Sequence, residues 1–365
     1  MPRSIVAAGL FAALLSAAPR AAALNVEVSG SVDWYIEHNF NRPDRYIADE
    51  SGERVLNPVQ NALRNFDFKD DQIALNLAEV VVQAAPEPVG FRLDLGFGKT
   101  TDWVPASEPG GQDTYRHIQQ AYITARTRWG GADGTLDIGK FVTSAGAEVI
   151  ETGDNWNYTR GLLFSWAIPY YHAGLRYTHP LPKSGAVGLQ LLNGWNDVED
   201  NNGAPSVGVT FTKPVGNGVT LTQNYIGGPE IADDNRHVRH LLDTIVSWQA
   251  TERLAFLLNA DYAREDRPTG AVSWKGAAAY ARYALGDGRA VAARLEYFDD
   301  PDGAATGTEQ TVREATLTYE WRPAAGLVTR AEIRHDRSDA PVFLSHGDGR
   351  RRTQTTVLLG SMYAF

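Results

Sequence analysis

The sequence contains no cysteine, which removes several kinds of chemistry at once. A disulfide scaffold, a thiolate nucleophile and a cysteine-ligated metal site are all excluded. The chain of 365 residues must therefore be stabilised by something other than covalent cross-links.

The sequence also lacks a long apolar run and an excess of basic residues. Nothing after residue 23 approaches the ~20 consecutive apolar residues of a membrane helix. The strands of a transmembrane barrel need only about 10 residues of alternating character, so a soluble protein and a barrel both remain open. With 34 basic and 44 acidic residues the net charge is −10, which argues against nucleic acid as a partner.

The N-terminus has the three parts of a secretory signal peptide. One positive charge, Arg3, precedes an apolar run at 5–15 and small residues at 21–23. This order predicts cleavage after Ala23, although an arginine close to the cut leaves the exact site open. A membrane anchor is disfavoured because the apolar run is too short to span a bilayer. Cleavage removes two of the basic residues, so the mature chain, 24–365, has 32 basic and 44 acidic residues and a net charge of −12.

The mature chain repeats a two-residue pattern. Val26, Val28, Val32, Trp34 and Ile36 alternate with polar residues, which is typical of a strand with one apolar and one polar face. Sixteen such segments follow one another. The first begins at Val26, and the others are 65–84, 89–99, 115–129, 134–142, 171–179, 186–195, 206–213, 218–227, 238–249, 254–264, 273–285, 289–299, 310–322, 326–337 and 353–365.

The connections between these segments alternate in length. The short connections are 85–88, 130–133, 180–185, 214–217, 250–253, 286–288 and 323–326. The long connections are 40–64, 100–114, 143–170, 196–205, 228–237, 265–272, 300–309 and 338–352. An outer-membrane barrel has this asymmetry, with short periplasmic turns and longer extracellular loops, whereas a two-sheet sandwich has no reason for it. We therefore predict an all-β fold, a transmembrane antiparallel β-barrel of about 16 strands.

The segment 157–168 is strand-like by itself and would raise the count to seventeen. An odd count puts the two termini on opposite sides of the membrane, which bacterial barrels disfavour. We assign 157–168 to the long third loop, while a pair of short strands there would give 18.

The two faces of the strands carry different chemistry. Apolar positions such as Leu295, Tyr297 and Ile333 suit lipid, whereas the charged positions between them need a wet interior because charge facing hydrocarbon costs several kcal/mol. The residues predicted to face the lumen are Arg92, Asp94, Asp261, Arg294, Glu296, Arg330, Glu332 and Arg334.

The last strand ends on an aromatic residue. Counting back by twos from Phe365 gives an outward stripe that includes Tyr363, Leu359 and Val357. A terminal Phe on an amphipathic strand resembles the signal by which outer-membrane proteins are recognised for insertion, so the barrel-assembly machinery is a predicted partner.

Several motifs resemble the OmpL-like β-barrel porin family of bacterial outer membranes. They are GKFVTSAGAE (139–148), NYTR (157–160), PYYHAG (169–174), NGWN (193–196), NYIGGPE (224–230), RLEYFDD (294–300) and RAEIRHDRS (330–338). The resemblance spans nearly the whole mature chain. It implies a diffusion channel in the outer membrane of a Gram-negative bacterium, without implying a substrate or a set of selectivity residues.

The third long loop is the predicted site. We expect it to fold into the lumen and narrow it, because water would otherwise meet an apolar group that includes Trp156, Phe164 and Trp166. Its charged residues Glu148, Glu151, Asp154 and Arg160 are then the predicted pore constriction, since charge at a constriction selects solutes. The alternative is a solvated extracellular loop whose charges serve solubility alone.

The predicted function is passive diffusion of small hydrophilic solutes through a water-filled channel in outer-membrane lipid. No catalytic motif, cofactor site or metal site is expected, and His237 and His240 have no third ligand in view. The alternatives are an outer-membrane enzyme and a secreted soluble β protein that binds carbohydrate. The sequence leaves the solute, the ion preference and the oligomeric state open.

Overall fold

The computed structural model describes residues 25–48, 52–129, 131–347 and 349–365. Sixteen antiparallel strands pair in sequence order into one closed barrel, which confirms the predicted fold class and strand count. The predicted signal peptide, 1–23, lies outside the described residues. The strands are β1 (Val26–Asn39), β2 (Ile73–Ala84), β3 (Val89–Phe97), β4 (Ile118–Trp129), β5 (Ala132–Val142), β6 (Tyr171–Leu181), β7 (Gly185–Leu192), β8 (Ser206–Gly216), β9 (Val219–Ile231), β10 (Asp234–Gln249), β11 (Leu254–Glu265), β12 (Val272–Gly286), β13 (Arg289–Asp300), β14 (Gln310–Ala324), β15 (Leu327–Ser338) and β16 (Thr353–Ala364).

The alternating sequence gives the barrel wall two different faces. Leu295 and Leu317 point outward and are 62% and 52% exposed, whereas Arg294 points inward and is fully buried. A closed sheet pairs each strand on both sides, so the backbone polar groups are satisfied without water, as a lipid environment requires. Backbone pairing thus supplies the stability that disulfides cannot.

The barrel closes between its first and last strands. β1 pairs with β2 on one side and with β16 on the other, where the ladder covers nine positions. Beyond the ladder, the Gly30 N–H donates to the Phe365 carbonyl at 3.1 Å, and the Phe365 N–H donates to the Gly30 carbonyl at 2.9 Å. Both ends of the described chain therefore lie at the same end of the barrel.

The connections make the two ends of the barrel unlike. One end, the short-turn end, carries the connections after β2, β4, β6, β8, β10, β12 and β14, together with the chain ends. The other end, the long-loop end, carries two small hairpins, Tyr46–Ala48 with Arg54–Leu56 and Phe343–Ser345 with Gly349–Arg351, and two short helices, Lys99–Trp103 and Gln112–Tyr115. Within the described ranges, no helix is long and apolar enough to cross a membrane.

The largest errors in the predicted boundaries lie before β2 and between β9 and β10. The segment 65–72 is not part of the second strand, since β2 begins at Ile73. The connection predicted at 228–237 is a two-residue turn, because β9 and β10 remain paired as far as Ile231 opposite Asp234. The ladder shifts register between Pro229 and Ile231, and Asp233 closes the turn with a φ of 60°.

The segment 157–168 does not cross the membrane, in agreement with the parity argument. Its second half forms one π-helical turn, Leu163–Ala167, and the Ser165 N–H donates to the Gly161 carbonyl at 3.1 Å. The long loop therefore connects two consecutive barrel strands, β5 and β6.

The lipid-facing role of the outer wall can be tested with Leu295→Arg. Leu295 lies halfway along β13, where an arginine in hydrocarbon should cost about 2–4 kcal/mol of folding free energy. Leu285 also faces outward but lies next to the turn that follows β12, so Leu285→Arg should cost only about 0–1 kcal/mol. Denaturant titration in lipid vesicles compares the two variants, and equal losses would contradict the assigned membrane depth.

Candidate functional site

The loop between β5 and β6, residues 143–170, is called the inner loop because it lies inside the barrel. Its Gly146 N–H donates to Asp243 of β10 at 3.1 Å, and its Tyr158 hydroxyl donates to Asp33 of β1 at 2.8 Å. These partners point inward from strands that are far apart around the wall. The loop therefore extends across the lumen.

Three arginines of the wall hold the backbone of the inner loop. Arg294 donates to one loop carbonyl at 2.6 Å and Arg334 donates to one at 2.7 Å. Arg330 donates to two at 2.6 Å and to a third at 3.2 Å. An irregular segment has few internal partners for its carbonyl groups, so they must be satisfied by side chains. The acceptors are the carbonyl oxygens of Thr152, Asn155, Asn157, Thr159 and Arg160.

Carboxylates of the wall accept from the N–H groups of the same loop. Glu332 accepts from the N–H of Tyr158 at 2.7 Å and from that of Thr159 at 3.1 Å. Glu296 accepts from the N–H of Leu162 at 2.5 Å. The wall thus supplies both donors and acceptors to one stretch of loop backbone.

The anchoring charges are also paired with one another. Arg294 forms ion pairs with Glu314 of the wall at 2.9 Å and with Glu148 of the loop at 2.7 Å. Arg330 pairs with Glu320 at 2.7 Å. Pairing of this kind is what allows charged groups to be buried without a prohibitive desolvation cost.

The apolar side of the inner loop fills part of the lumen. Leu162, Leu163 and Phe164 are buried in a cluster with Phe66 and with inward-facing wall residues such as Trp274. Tyr158 approaches the wall so closely that a Cβ at Gly360 would lie 2.2 Å from its ring. The glycine in β16 is therefore required by the packing of the loop.

The four residues predicted to form the constriction divide into two pairs. Glu148 and Arg160 are buried, at 5% and 2% exposure, and hold the loop together instead of facing solutes. The Arg160 guanidinium donates to the Tyr158 carbonyl at 2.9 Å and to that of Ile150, and it lies 4.6 Å from the centre of the Phe66 ring.

Glu151 and Asp154 instead line an open part of the lumen. This space, the inner cavity, has a volume of about 450 Å³ and opens toward the short-turn end. Glu79 of β2 lines it beside the two loop acids. Across from them the wall contributes Arg92 of β3 and Arg176 of β6.

The predicted lumen-facing charges all point inward, but most of them are not in contact with water. Arg294, Arg330 and Arg334 are at most 2% exposed, whereas the Arg92 side chain is 34% exposed. The expectation of a wet interior around these arginines is wrong because the inner loop covers them. The carboxylates Asp94, Asp261, Glu296 and Glu332 are covered to a similar degree.

The structure adds four residues that the sequence-based prediction missed. Glu79, Gln120, Tyr122 and Arg176 all line the inner cavity. Each one occupies an inward position of a strand, so the two-residue period carried the signal. What the period could not reveal is which inward positions the inner loop leaves uncovered.

Residues at the long-loop end form an acidic cluster. Asp197 lies in the connection after β7, and its burial, with Glu230 and Glu108 close by, raises the pKa of its carboxyl to about 8. At neutral pH the protonated form of Asp197 is therefore favoured, which lowers the negative charge at this end.

One group of residues has the composition of a metal site. Within the described ranges, His38, Asp70 and Asp71 alone bring three such ligand atoms within 4.8 Å of one another. His38 Nδ1 lies 2.7 Å from Asp71, and Asp70 accepts from the Asn39 N–H, so each group already has a protein partner. His237 and His240 bond separately, to Asp234 and Tyr225.

The sequence matches one protein-family model over residues 25–365, described as "Putative beta-barrel porin-2, OmpL-like". The chain belongs to this OmpL-like porin family. The match covers the whole barrel, so the porin is an outer-membrane protein with a channel function, as its motifs implied. Among curated proteins, no significant relative of the sequence is found.

Solved structures of outer-membrane channels share the fold of this porin. The outer membrane channel DcaP of Acinetobacter baumannii superposes with a TM-score of 0.61 at 12% identity, covering 96% of this chain and 100% of that one. An anion-selective porin from Comamonas acidovorans gives 0.61 at 10% identity, with 93% and 99% coverage. OmpT of Vibrio cholerae gives 0.59 at 10% identity, with 95% and 99% coverage. At such identities the likeness establishes the fold alone.

The C-terminal stripe of the porin lies where the alternation predicts. Val357, Leu359, Tyr363 and Phe365 are between 36% and 64% exposed on the outer face.

The anchoring of the inner loop can be tested with Glu332→Ala. The change leaves the buried N–H groups of Tyr158 and Thr159 without their acceptor, at about 1–3 kcal/mol each. We expect a lower unfolding temperature and faster proteolysis within the inner loop. Asp137→Ala is the control, because Asp137 is also a buried lumen carboxylate but bonds to Thr124 and Arg176. Equal cleavage of the loop in both variants would contradict the anchoring role.

Proposed function

We propose that small hydrophilic solutes pass between the free face of the inner loop and the wall formed by β2 to β6. The observation that carries this proposal is the inner cavity. It is lined by Glu151 and Asp154 of the loop and by Arg92 and Arg176 of the wall. On the opposite side, the anchoring contacts of Arg294 and its neighbours leave little room. The selectivity residues are thus Glu151 and Asp154, with Glu148 and Arg160 as supports.

The charges around this passage favour cations. Arg92 is neutralised by Asp94 at 2.9 Å, and Arg176 is neutralised by Asp137 at 2.9 Å. Within the described part of the chain, Glu151 and Asp154 have no basic group at ion-pair distance. The local field is therefore negative, and rings of acidic side chains are a common basis for cation preference in wide pores.

The proposed mechanism is passive, with no covalent step and no cofactor. Solutes move down their gradient through water held between loop and wall. The outer-membrane enzyme considered from the sequence would need a reacting group that is aimed into this passage. The inner cavity instead presents ion-paired arginines and acids, which suit the screening of solutes.

The C-terminal stripe is proposed to be the part of the chain that the barrel-assembly machinery recognises. It is regular, apolar and ends on an aromatic side chain at the short-turn end. Phe365 is 64% exposed in the closed barrel, so packing inside the folded protein does not compete with recognition of this residue by a partner.

The selectivity proposal can be tested with the double variant Glu151→Gln, Asp154→Asn. A charge acts on an ion about 5–10 Å away through water with about 0.4–0.8 kcal/mol. Removing each one should lower the cation-to-anion permeability ratio about four- to sixteenfold, because the cation loses this attraction and the anion loses an equal repulsion. The reversal potential of single channels in a KCl gradient measures this ratio.

Two further variants sharpen this experiment. Arg176→Gln should raise the cation preference, because it leaves Asp137 unpaired. Asp233→Asn is the control, since it removes a negative charge at an exposed turn of the long-loop end and should leave the ratio unchanged. A double variant that keeps the wild-type ratio would place the passage elsewhere.

The assembly proposal can be tested with Phe365→Ala, which removes the ring and keeps the backbone bonds to Gly30. We expect a severalfold lower amount of folded protein in the outer membrane of cells, since the signal is weakened. Spontaneous folding into vesicles should be nearly unchanged, because that route needs no recognition. Equal losses in both assays would mean that Phe365 acts through barrel stability instead.

A further inference from the structure

A second cavity lies at the long-loop end, and five of its fifteen lining residues are aromatic. This space, the mouth pocket, has a volume of about 360 Å³. It is formed by the inner loop, three other long connections and the segment before β2. The long-loop ends of β10 and β12 complete it. Its aromatic lining consists of Trp103, Trp166, Tyr170, Trp195 and Trp274.

Several of these rings are fixed in place. The indole N–H of Trp166 donates to the Leu63 carbonyl at 3.2 Å, and that of Trp274 donates to the Ala167 carbonyl at 3.1 Å. The rings of Trp195 and Trp274 meet edge to face, with centres 6.3 Å apart and planes at 83°. A rigid aromatic lining binds a ligand without a large cost in side-chain entropy.

A charged side chain packs against the rings of both Trp195 and Trp274. The Arg239 guanidinium lies 4.9 Å from the centre of the Trp195 ring and 5.6 Å from that of Trp274. Glu265 holds Arg239 through a hydrogen bond of 2.9 Å. The positive charge is therefore already paired, and its role here is to orient the rings.

The mouth pocket also contains a buried acceptor that lacks a partner. Asn65 is 3% exposed, and its amide nitrogen donates to the Ser165 carbonyl at 2.8 Å and to the Tyr170 hydroxyl at 2.7 Å. Its Oδ1 atom has no hydrogen-bond partner among the described residues. A buried acceptor of this kind destabilises the site unless a donor reaches it. The atom therefore fits a ligand that brings a hydroxyl group.

We propose that the mouth pocket binds a neutral saccharide, with one sugar ring or two. The apolar C–H face of a sugar ring matches an indole surface, and its hydroxyl groups supply the donor for Asn65. The volume is at the small end of the range for ligand pockets, about 300–1,000 Å³.

Other ligand classes fit the pocket less well. A cation would find the aromatic surface for cation–π binding already occupied by Arg239. An anion would meet the carboxylate of Glu230, which accepts from the backbone N–H of the lining residue Trp195 at 2.7 Å. A purely apolar ligand would bury Asn65 Oδ1 without a donor. A neutral ligand with both apolar faces and hydroxyl groups avoids all three costs.

This inference names a class of solute for the proposed channel. Transport of a bound sugar rests on the proposed function, whereas sugar binding does not. Binding itself is measured without ion flow. If the charge variants at Glu151 and Asp154 leave selectivity unchanged while sugars still bind, the proposed passage fails and the mouth pocket stands.

The experiment titrates the full mature porin, folded in detergent, with glucose, galactose, maltose and sucrose. Tryptophan fluorescence and calorimetry follow binding. Sorbitol is the control ligand, because it carries hydroxyl groups as glucose does but has no sugar ring to stack on an indole. We expect saturable binding of at least one sugar and at least fivefold weaker binding of sorbitol.

Two variants link the signal to the mouth pocket. Trp195→Ala should weaken sugar binding at least fivefold, since it removes part of the aromatic surface. Trp248→Ala is the control, because Trp248 is 43% exposed on the outer wall of β10 near the short-turn end, and it should bind sugar as the wild type does. The proposal is overturned if no sugar of the panel binds, if sorbitol binds equally well, or if Trp195→Ala binds as tightly as Trp248→Ala.

Discussion

An irregular segment inside a closed barrel must have its backbone polar groups satisfied, and this constraint shapes the whole lumen. The inner loop has only one π-helical turn and one short 3₁₀ turn, so most of its N–H and C=O groups need outside partners. The wall provides them as long charged side chains. Arginines reach the carbonyl groups, and Glu296 and Glu332 reach the N–H groups.

This use of charge divides the lumen into two unequal parts. The inward charges of β13 to β15 are used for anchoring, and the loop covers them. The inward charges of β3 and β6, such as Arg92 and Arg176, remain partly exposed. A ladder of lumen charges therefore does not by itself define a selectivity filter. In the proposed function, the filter lies where Glu151 and Asp154 of the loop face the wall charges that the loop leaves uncovered.

Much of the barrel could be predicted from sequence because its signals are local. Period-two alternation placed β13 at 289–299, against Arg289–Asp300 in the structure. The site was harder to predict from the sequence, because an irregular backbone imposes no residue period. Glu148 and Glu151 lie three residues apart, yet one pairs with Arg294 and the other lines the inner cavity. Only the long-range packing of the loop on the wall distinguishes them.

The anchoring also argues for a fixed constriction instead of a moving gate. To leave the wall, the inner loop would separate Glu148 from Arg294 and remove the carbonyl partners of Arg294, Arg330 and Arg334. Breaking one buried pair by removing a partner costs about 3–5 kcal/mol, and several such contacts would break together. A small ligand entering the mouth pocket cannot supply that energy through a few hydrogen bonds. In the proposed function, solute selection therefore rests on the groups that are fixed along the free face of the loop.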